Sequence, residues 1–325
     1  MKVLVTGAAG FVGSALAARI AGDARALGHP VDVLLLADAR RPDDADAVDG
    51  AAVRWLAGDL ADTAYVDALA AQRPDVVFHL ASVPGGAAER DPVLGTAVNL
   101  HGSVRLIEQL AEAGTPPVFV FTSTVAVYGA PLPAQMDETT ATAPLTSYAA
   151  HKLMTEYLLA DLSRRGRLDA RTVRLPGIVA RPPQAGGHVS AFMSDVMHRL
   201  AAGQPFTCPV SRDATCWWMS VERCVDNLLL AARLPAGPLE SLGRGTAART
   251  WTLPVLRASM GELVDALARR FGDDRQALVT WAPQEAVQAQ FGRLPPLSTP
   301  TARALGFADD GDLDQLIARA LPHGG

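Results

Sequence analysis

Lysine is almost absent from this chain. Lys2 and Lys152 are the only two among 29 basic side chains, so arginine carries nearly all the positive charge. Cysteine is scarce as well. Cys208, Cys216 and Cys224 show no C-x-x-C spacing and no neighbouring histidine cluster, which argues against zinc or a disulfide framework at this size. Buried or half-buried free thiols in a reducing compartment are expected. Neither charge sign is in large excess: the net charge is −5 with acids and bases interspersed, so no basic block suggests nucleic acid and no acidic tail suggests a solvating arm. No apolar run approaches the length of a membrane span, and no charged-then-apolar leader precedes Val3. The expectation is a cytoplasmic protein that handles a small molecule, with no metal, nucleic acid or membrane as partner.

What is present is apolar residues, at 49% of the 325, enough for one large domain or a large and a small one. Short β-branched runs alternate with longer amphipathic stretches. Val3–Thr6, Val31–Leu36, Val53–Leu56, Val76–Leu80, Val118–Thr122 and Arg171–Leu175 read as strands. Phe11–Leu27, Asp62–Gln72, Asn99–Ala113 and Tyr148–Arg164 read as helices between them. This alternation predicts an α/β, Rossmann-type doubly wound parallel sheet covered on both faces. After Leu175 the pattern breaks at Pro176, Pro182, Pro183, Gly186 and Gly187. Residues 176–325 read as a smaller mixed C-terminal substrate domain, set against a dinucleotide-binding domain over 1–175, with 215–235 packing back on the latter. His188–Ala202, Ser220–Arg233 and Ser259–Phe271 read as helices, the last with a capping-box pattern, Ser259 and Glu262. Pro205–Ala214 reads as irregular, Gly237–Gly245 as turn-rich, and Arg41–Gly50 as an exposed acidic loop.

The first strand runs into Gly7-Ala8-Ala9-Gly10-Phe11-Val12-Gly13, a GxxGxxG loop between a strand and a helix. Gly7 permits the tight turn, Gly10 lets a pyrophosphate approach the backbone, and Gly13 lets the helix pack on the sheet. An anion there meets the free N–H groups and positive end of the helix. Ala9, Phe11 and Val12 are expected beside it. Asp38, at the end of the second strand, is placed to bond the adenosine ribose and to repel a 2′-phosphate, which favours NAD over NADP. Arg40 and Arg41 leave the second cofactor open. Asp59 and Leu60 follow the third strand, where they could reach adenine or, for Asp59, cap a helix.

Tyr148-Ala149-Ala150-His151-Lys152 is YxxxK at a helix start, and the spacing puts Tyr148 and Lys152 on one face. A phenol titrates near ~10, and a neighbouring ammonium favours the phenolate, so Tyr148 can take a proton from an alcohol as hydride leaves. Arginine cannot give up its proton and is a planar fork, so an interior lysine in so arginine-rich a chain fits a role arginine could not fill. Ser123 and Thr124, at the end of the fifth strand, each qualify as the hydroxyl that holds the reacting oxygen.

Together, Gly7, Gly10 and Gly13, Asp38, Asp59-Leu60, His79-Leu80-Ala81, Asn99, "TSTVAVYG" and Tyr148/Lys152 resemble the extended short-chain dehydrogenase/reductase superfamily over about the first 180 residues. The resemblance implies cofactor contacts at Leu80 and Ala81, a helix-kinking and cofactor-side role for Asn99, and Thr124 as the catalytic hydroxyl. It also implies that Leu175, Pro176 and Ile178 wrap the nicotinamide. Val125-Ala126 stand where nucleotide-sugar dehydratases of this superfamily carry an Asp-Glu pair, which argues against dehydration.

A narrower resemblance, to the D-erythronate dehydrogenase group, runs through "FTSTVAVYGAPLP", "TSYAAHK", "RTVRLPGIVARP", "WWMSVERCVDNLLLA" and "ARALGFADDGDLDQLI". It implies NAD-linked oxidation of the 2-hydroxy group of a short sugar acid. Gly177 and "PPQAGGH" depart from that group's pattern. A nucleotide-sugar epimerase with tightly held NAD stays open as the alternative, with Arg181, Arg212, Arg223 and Arg244 available for a diphosphate. For a carboxylate substrate Arg181 is the first choice of partner, since a bidentate fork suits it. Ser82, Ser190 and His188 are further pocket candidates. The helices Asn99–Ala113 and Tyr148–Arg164 resemble the pair that dimerises in this superfamily, which implies a homodimer.

Overall fold

The structure is a computed structural model that describes residues 1–41, 52–183, 189–236 and 249–321. Most of the expected acidic loop, His188, the stretch 184–188 and the turn-rich 237–245 with Arg244 lie outside the described residues.

Buried, branched strands separated by helices gather into one seven-stranded parallel sheet. From edge to edge its strands are Thr250–Thr252, Asp169–Leu175, Val118–Thr124, Val76–His79, Lys2–Thr6, Val33–Asp38 and Ala52–Ala57. The strand order reverses beside Lys2–Thr6, between Val33–Asp38 and Val76–His79, and ligands of such sheets bind at the strands' C-terminal ends there. The strand centres are fully buried (Val3, Leu4, Val5, Leu34, Leu35, Leu36, Phe119, Val120) because helices cover both faces. The core on one face joins Leu4, Leu35, Val77 and Phe119 to Val66, Leu69, Leu106, Ile107, Leu110 and Leu159 from the helices.

The chain divides into two compact units. One comprises Met1–Val127, Pro144–Arg174 and Val225–Thr252; the other comprises Tyr128–Ala143, Leu175–Cys224 and Leu253–Gly325. The return of Val225–Thr252 to the first unit follows from the edge strand Thr250–Thr252, which pairs Trp251 with Val173. Arg171 is buried there and donates to the carbonyls of Ala231 and Ala232 at 2.7 and 2.5 Å, satisfying the end of helix Val221–Arg233. The second unit holds a three-stranded sheet, Leu256–Ser259, Thr215–Ser220 and Gly177–Val179. Its core is built from Trp218, Phe192, Val196, Met197, Leu263 and Ile317.

Some elements differ from expectation. The first helix stops at Gly22. Two short helices, Gly85–Arg90 and Pro92–Thr96, occupy a glycine- and proline-marked stretch that gives no helical periodicity. Phe206–Cys208 is a strand, not irregular chain, because it pairs with Val279–Trp281. The capping box at Ser259 forms, with Glu262 N–H donating to Ser259 Oγ at 3.1 Å. No described helix is long and apolar enough to cross a membrane.

Candidate active site

The glycine loop has the shape its spacing implies. Gly7 has φ of +72° and faces the chain at Ala81, where a β-carbon would come within 2.7 Å of the backbone nitrogen. Gly10 is exposed and starts helix Phe11–Gly22 with no side-chain cap, and the first turn carries no acidic residue. An uncapped helix start of this kind fits a pyrophosphate. Asp38 is half-buried at the end of its strand, and Oδ2 accepts from Ala9 N–H at 3.0 Å, so the carboxylate is held against the loop. Arg40 and Arg41 are exposed beyond it. Asp59 accepts from Ala61 N–H at 2.9 Å, whereas Asp62 caps the following helix. Asp59 therefore closes a turn, and Leu60 beside it is buried.

Under the loop, His79 ties three elements together. Its Nδ1 meets Thr6 Oγ1 at 2.8 Å and its Nε2 meets Ser103 Oγ at 2.9 Å. Complete burial pulls its pKa down to about 3, so the ring is neutral. Thr6 Oγ1 also accepts from Ala81 N–H at 3.3 Å. Asn99 sits in a π-helical turn, Ala97–Gly102, the irregularity its kinking role implies. Its amide bonds both sides of Val83: Oδ1 accepts from N–H at 2.6 Å and Nδ2 donates to the carbonyl at 2.9 Å. Asn99 thus holds the backbone at Val83, next to Leu80–Ser82. Ser82 lies half-buried within the same segment.

Tyr148 and Lys152 rise from helix Ser147–Arg164, whose start is capped by Thr146 Oγ1 accepting from Ala149 N–H at 3.3 Å. Tyr148 is half-buried, with helix Gly85–Arg90 beside it; a β-carbon on Gly85 would be 3.7 Å from the Tyr148 ring. Lys152 is 2% exposed. Its Nζ donates to the Thr122 carbonyl at 2.9 Å and lies 4.7 Å from the Phe121 ring centre and 5.7 Å from that of Tyr148. Burial lowers the lysine pKa to about 7, against the pull of Glu156.

Ser123 and Thr124 part company. Ser123 is buried and donates to Glu156 Oε1. Thr124 is half-buried, accepts from Ala126 N–H at 3.1 Å and keeps its own O–H to give. His151 lies off the Tyr148/Lys152 face, with Nε2 3.4 Å from Thr96 Oγ1. Sequence reasoning missed Glu156 and Arg174, which meet through bonds of 3.0 and 2.6 Å. The signal was there for Glu156, which continues the 148–152 spacing by one more turn; Arg174 sits in a strand that already carries Asp169, Arg171 and Thr172, so it did not stand out.

In the second unit, Leu175 and Pro176 lead into Gly177–Val179, where Ile178 pairs with Met219. A β-carbon on Gly177 would lie 2.8 Å from Met193 Cε, so Met193 fills the space a larger residue would take. Ser190 is half-buried in the turn Val189–Ala191. Arg181 lines a cavity of about 830 Å3 with Ser194, Asp195, His198 and Arg199. Its N–H donates to Ser194 Oγ at 3.0 Å and its carbonyl meets His198 Nε2 at 2.9 Å.

A glycine loop at the reversal point of a parallel sheet, an acid at the second strand's end and a YxxxK helix define an NAD-dependent oxidoreductase acting on a CH–OH group. Its cofactor is NAD. The chain belongs to the NAD dependent epimerase/dehydratase family, whose model matches residues 3–241. It is 37% identical to D-erythronate dehydrogenase of Cupriavidus necator, over 100% of this chain and 99% of that protein. It is 30% identical to D-erythronate dehydrogenase of Haemophilus influenzae, over 99% of each. Among solved structures, a nucleoside-diphosphate-sugar epimerase from Agrobacterium tumefaciens superposes with a TM-score of 0.89 at 33% identity, covering 99% of this chain and 94% of that one.

Proposed function

We infer that this chain oxidises the 2-hydroxy group of a short sugar acid, D-erythronate or a close analogue, to the 2-oxo acid, with Tyr148 as base. The observation that carries the chemistry is the Lys152 ammonium held beside the Tyr148 ring by the Thr122 carbonyl. The Tyr148 phenolate accepts the substrate hydroxyl proton while the C2–H bond breaks and the carbonyl forms. Thr124 donates its O–H to the reacting oxygen and fixes the alcohol against Tyr148. NAD supplies the acceptor for the hydride that leaves C2. Gly7, Ala9, Gly10, Phe11, Val12 and Gly13 would hold its pyrophosphate and Asp38 its adenosine ribose. Asp59, Leu60, Leu80, Ala81, Leu175, Pro176 and Ile178 would line the remainder, with Asn99 supporting Leu80–Val83. Arg181 pairs with the substrate carboxylate in this reading, and Ser82 and Ser190 are further candidates for substrate contact. The substrate class rests on the two full-length relatives that bear the D-erythronate dehydrogenase name.

The chain works as a cytoplasmic homodimer in this proposal. Val93 and Leu94 on helix Pro92–Thr96, Met154 and Tyr157 on helix Ser147–Arg164, and Leu145 just before it are exposed large apolar side chains, all in the first unit. A second copy covering them is the economical arrangement.

The name of the Agrobacterium structure favours a second reading, a nucleotide-sugar epimerase in which NAD is recycled within each turnover. Net cofactor reduction separates the two. Absorbance of NADH is followed with a panel of aldonic acids and with nucleotide sugars. Growth with an aldonic acid alone is expected; turnover of a nucleotide sugar without net NADH would replace the first reading by the second. Tyr148→Phe is expected to abolish NADH formation and to leave NAD binding intact.

A further inference from the structure

Glu156 is a buried carboxylate, 5% exposed, one helical turn beyond Lys152 and two beyond Tyr148. Helix geometry places 148, 152 and 156 on one face. Three bonds hold it. Ser123 Oγ donates to Oε1. Arg174 Nε donates to Oε1 at 3.0 Å, and its NH2 nitrogen donates to Oε2 at 2.6 Å. The carboxylate therefore joins the helix to the strand that carries Thr124 and to the next strand in the sheet. It is fixed in place, with both oxygens bonded.

Its neighbour Lys152 has an unusual problem. The ammonium must stay protonated to favour a Tyr148 phenolate, yet it is out of water. The described groups facing it are few. On its own helix are Tyr148 and Glu156. On strand Val118–Thr124 are the Phe121 ring and the Thr122 carbonyl. On Val76–His79 is His79, which is neutral and itself feels the lysine charge. Arg174, on Asp169–Leu175, bonds Glu156 and brings a second cation to this cluster. Glu156 is the one anion in this set.

We propose that Glu156 is a positioning residue for Lys152: its carboxylate, fixed by Ser123 and Arg174, keeps the buried ammonium charged beside Tyr148. The arrangement also uses Arg174 as a counterweight, which limits how strongly the carboxylate acts. This rests on Tyr148 and Lys152 being the acid/base pair. Burial and Glu156 pull the lysine in opposite senses, so removing the carboxylate's charge should lower it.

The scarcity of lysine gives a direct readout. Protein labelled with 13C at lysine Cε shows two resonances, from Lys2 and Lys152, and Lys2→Arg assigns them. Titration by NMR then follows Lys152 without any substrate. Glu156→Gln is expected to lower the Lys152 midpoint by about 1 pH unit or more, while Glu156→Asp, which keeps the charge, restores most of the loss. Arg174→Gln, which retains a donor to Glu156, is expected to move the midpoint the other way, upward. It serves as the test if Glu156→Gln fails to fold. In NADH formation, the alkaline limb of the pH profile should move to lower pH in Glu156→Gln. A Lys152 midpoint that stays put in folded Glu156→Gln, or shifts of one sign in both Glu156→Gln and Arg174→Gln, would overturn the proposal. Should no sugar acid reduce NAD in the wild type, the substrate reading fails and the NMR comparison still stands.

Discussion

A β-carbon on Gly13 would stand 2.0 Å from the carbonyl oxygen of Gly7. The two glycines therefore need each other. The turn at Gly7, with its positive φ, brings its carbonyl against the first helical turn, and only a residue without a side chain lets that turn close. Gly13→Ala is expected to force the loop and helix apart. Overpacking costs of about 1–3 kcal/mol are typical, and NAD affinity should fall with stability. Calorimetric titration with NAD and a thermal melt measure both. A variant that binds NAD normally would show that the loop has slack the packing does not suggest.

Asp38 bonds the loop through Ala9 N–H and also reaches Arg40 N–H at 3.4 Å. Replacing it by alanine removes a charged acceptor from the place where an adenosine ribose would lie. A hydrogen bond to a charged group contributes about 1.5–3 kcal/mol, so kcat/KM with NAD should fall by about 10- to 100-fold. With Arg40 still present, NADP should suffer less. The ratio of kcat/KM for the two cofactors is the measurement; an unchanged ratio would remove Asp38 from cofactor selection.

For Thr124, the hydroxyl should matter and the methyl should not. Thr124→Ser is expected to stay within a few-fold of the wild type. Thr124→Val, close in shape, should lower kcat by about 10²- to 10³-fold, the scale set by loss of one preorganised donor. Equal kcat in Thr124→Val and wild type would move the role elsewhere.

Lys152 costs the fold something. The unfolded chain holds the lysine proton up to about pH 10.4, while the folded chain holds it only to about 7. Between those values the unfolded state binds more protons, so stability rises with pH across the window and the cost is greatest at its lower end and below. Lys152→Met is expected to melt higher than the wild type at pH 7, with the difference shrinking toward pH 10, and to form no NADH. Melting curves at several pH values check this. A destabilised methionine variant at pH 7 would mean that the bond to the Thr122 carbonyl outweighs the desolvation.

What the sequence made legible was periodic or motif-bound. Six of the seven strands, the glycine loop and the Tyr148/Lys152 face all follow from local spacing. The strand Thr250–Thr252 was not legible, because three residues carry no period and its partner is Thr172–Arg174, far back in the chain. Nor was the bond from Ser123 to Glu156, which depends on a carboxylate from another element. The π-helical turn at Asn99 was approached only through family resemblance. The amide's grip on Val83 is a contact across 16 residues. Gly177 looked anomalous alone and became intelligible with Met193 beside it.

The edge strand Thr250–Thr252 has a consequence for synthesis. The sheet that carries the cofactor loop is ordered from the N-terminal half, but its last strand emerges some 75 residues after Leu175. At about 5–20 residues per second, the ribosome leaves the edge Asp169–Leu175 without its neighbour for roughly 4–15 s. Over that interval the backbone of Thr172–Arg174 waits for its partner strand, while the acceptors of Arg171 at Ala231 and Ala232 emerge earlier.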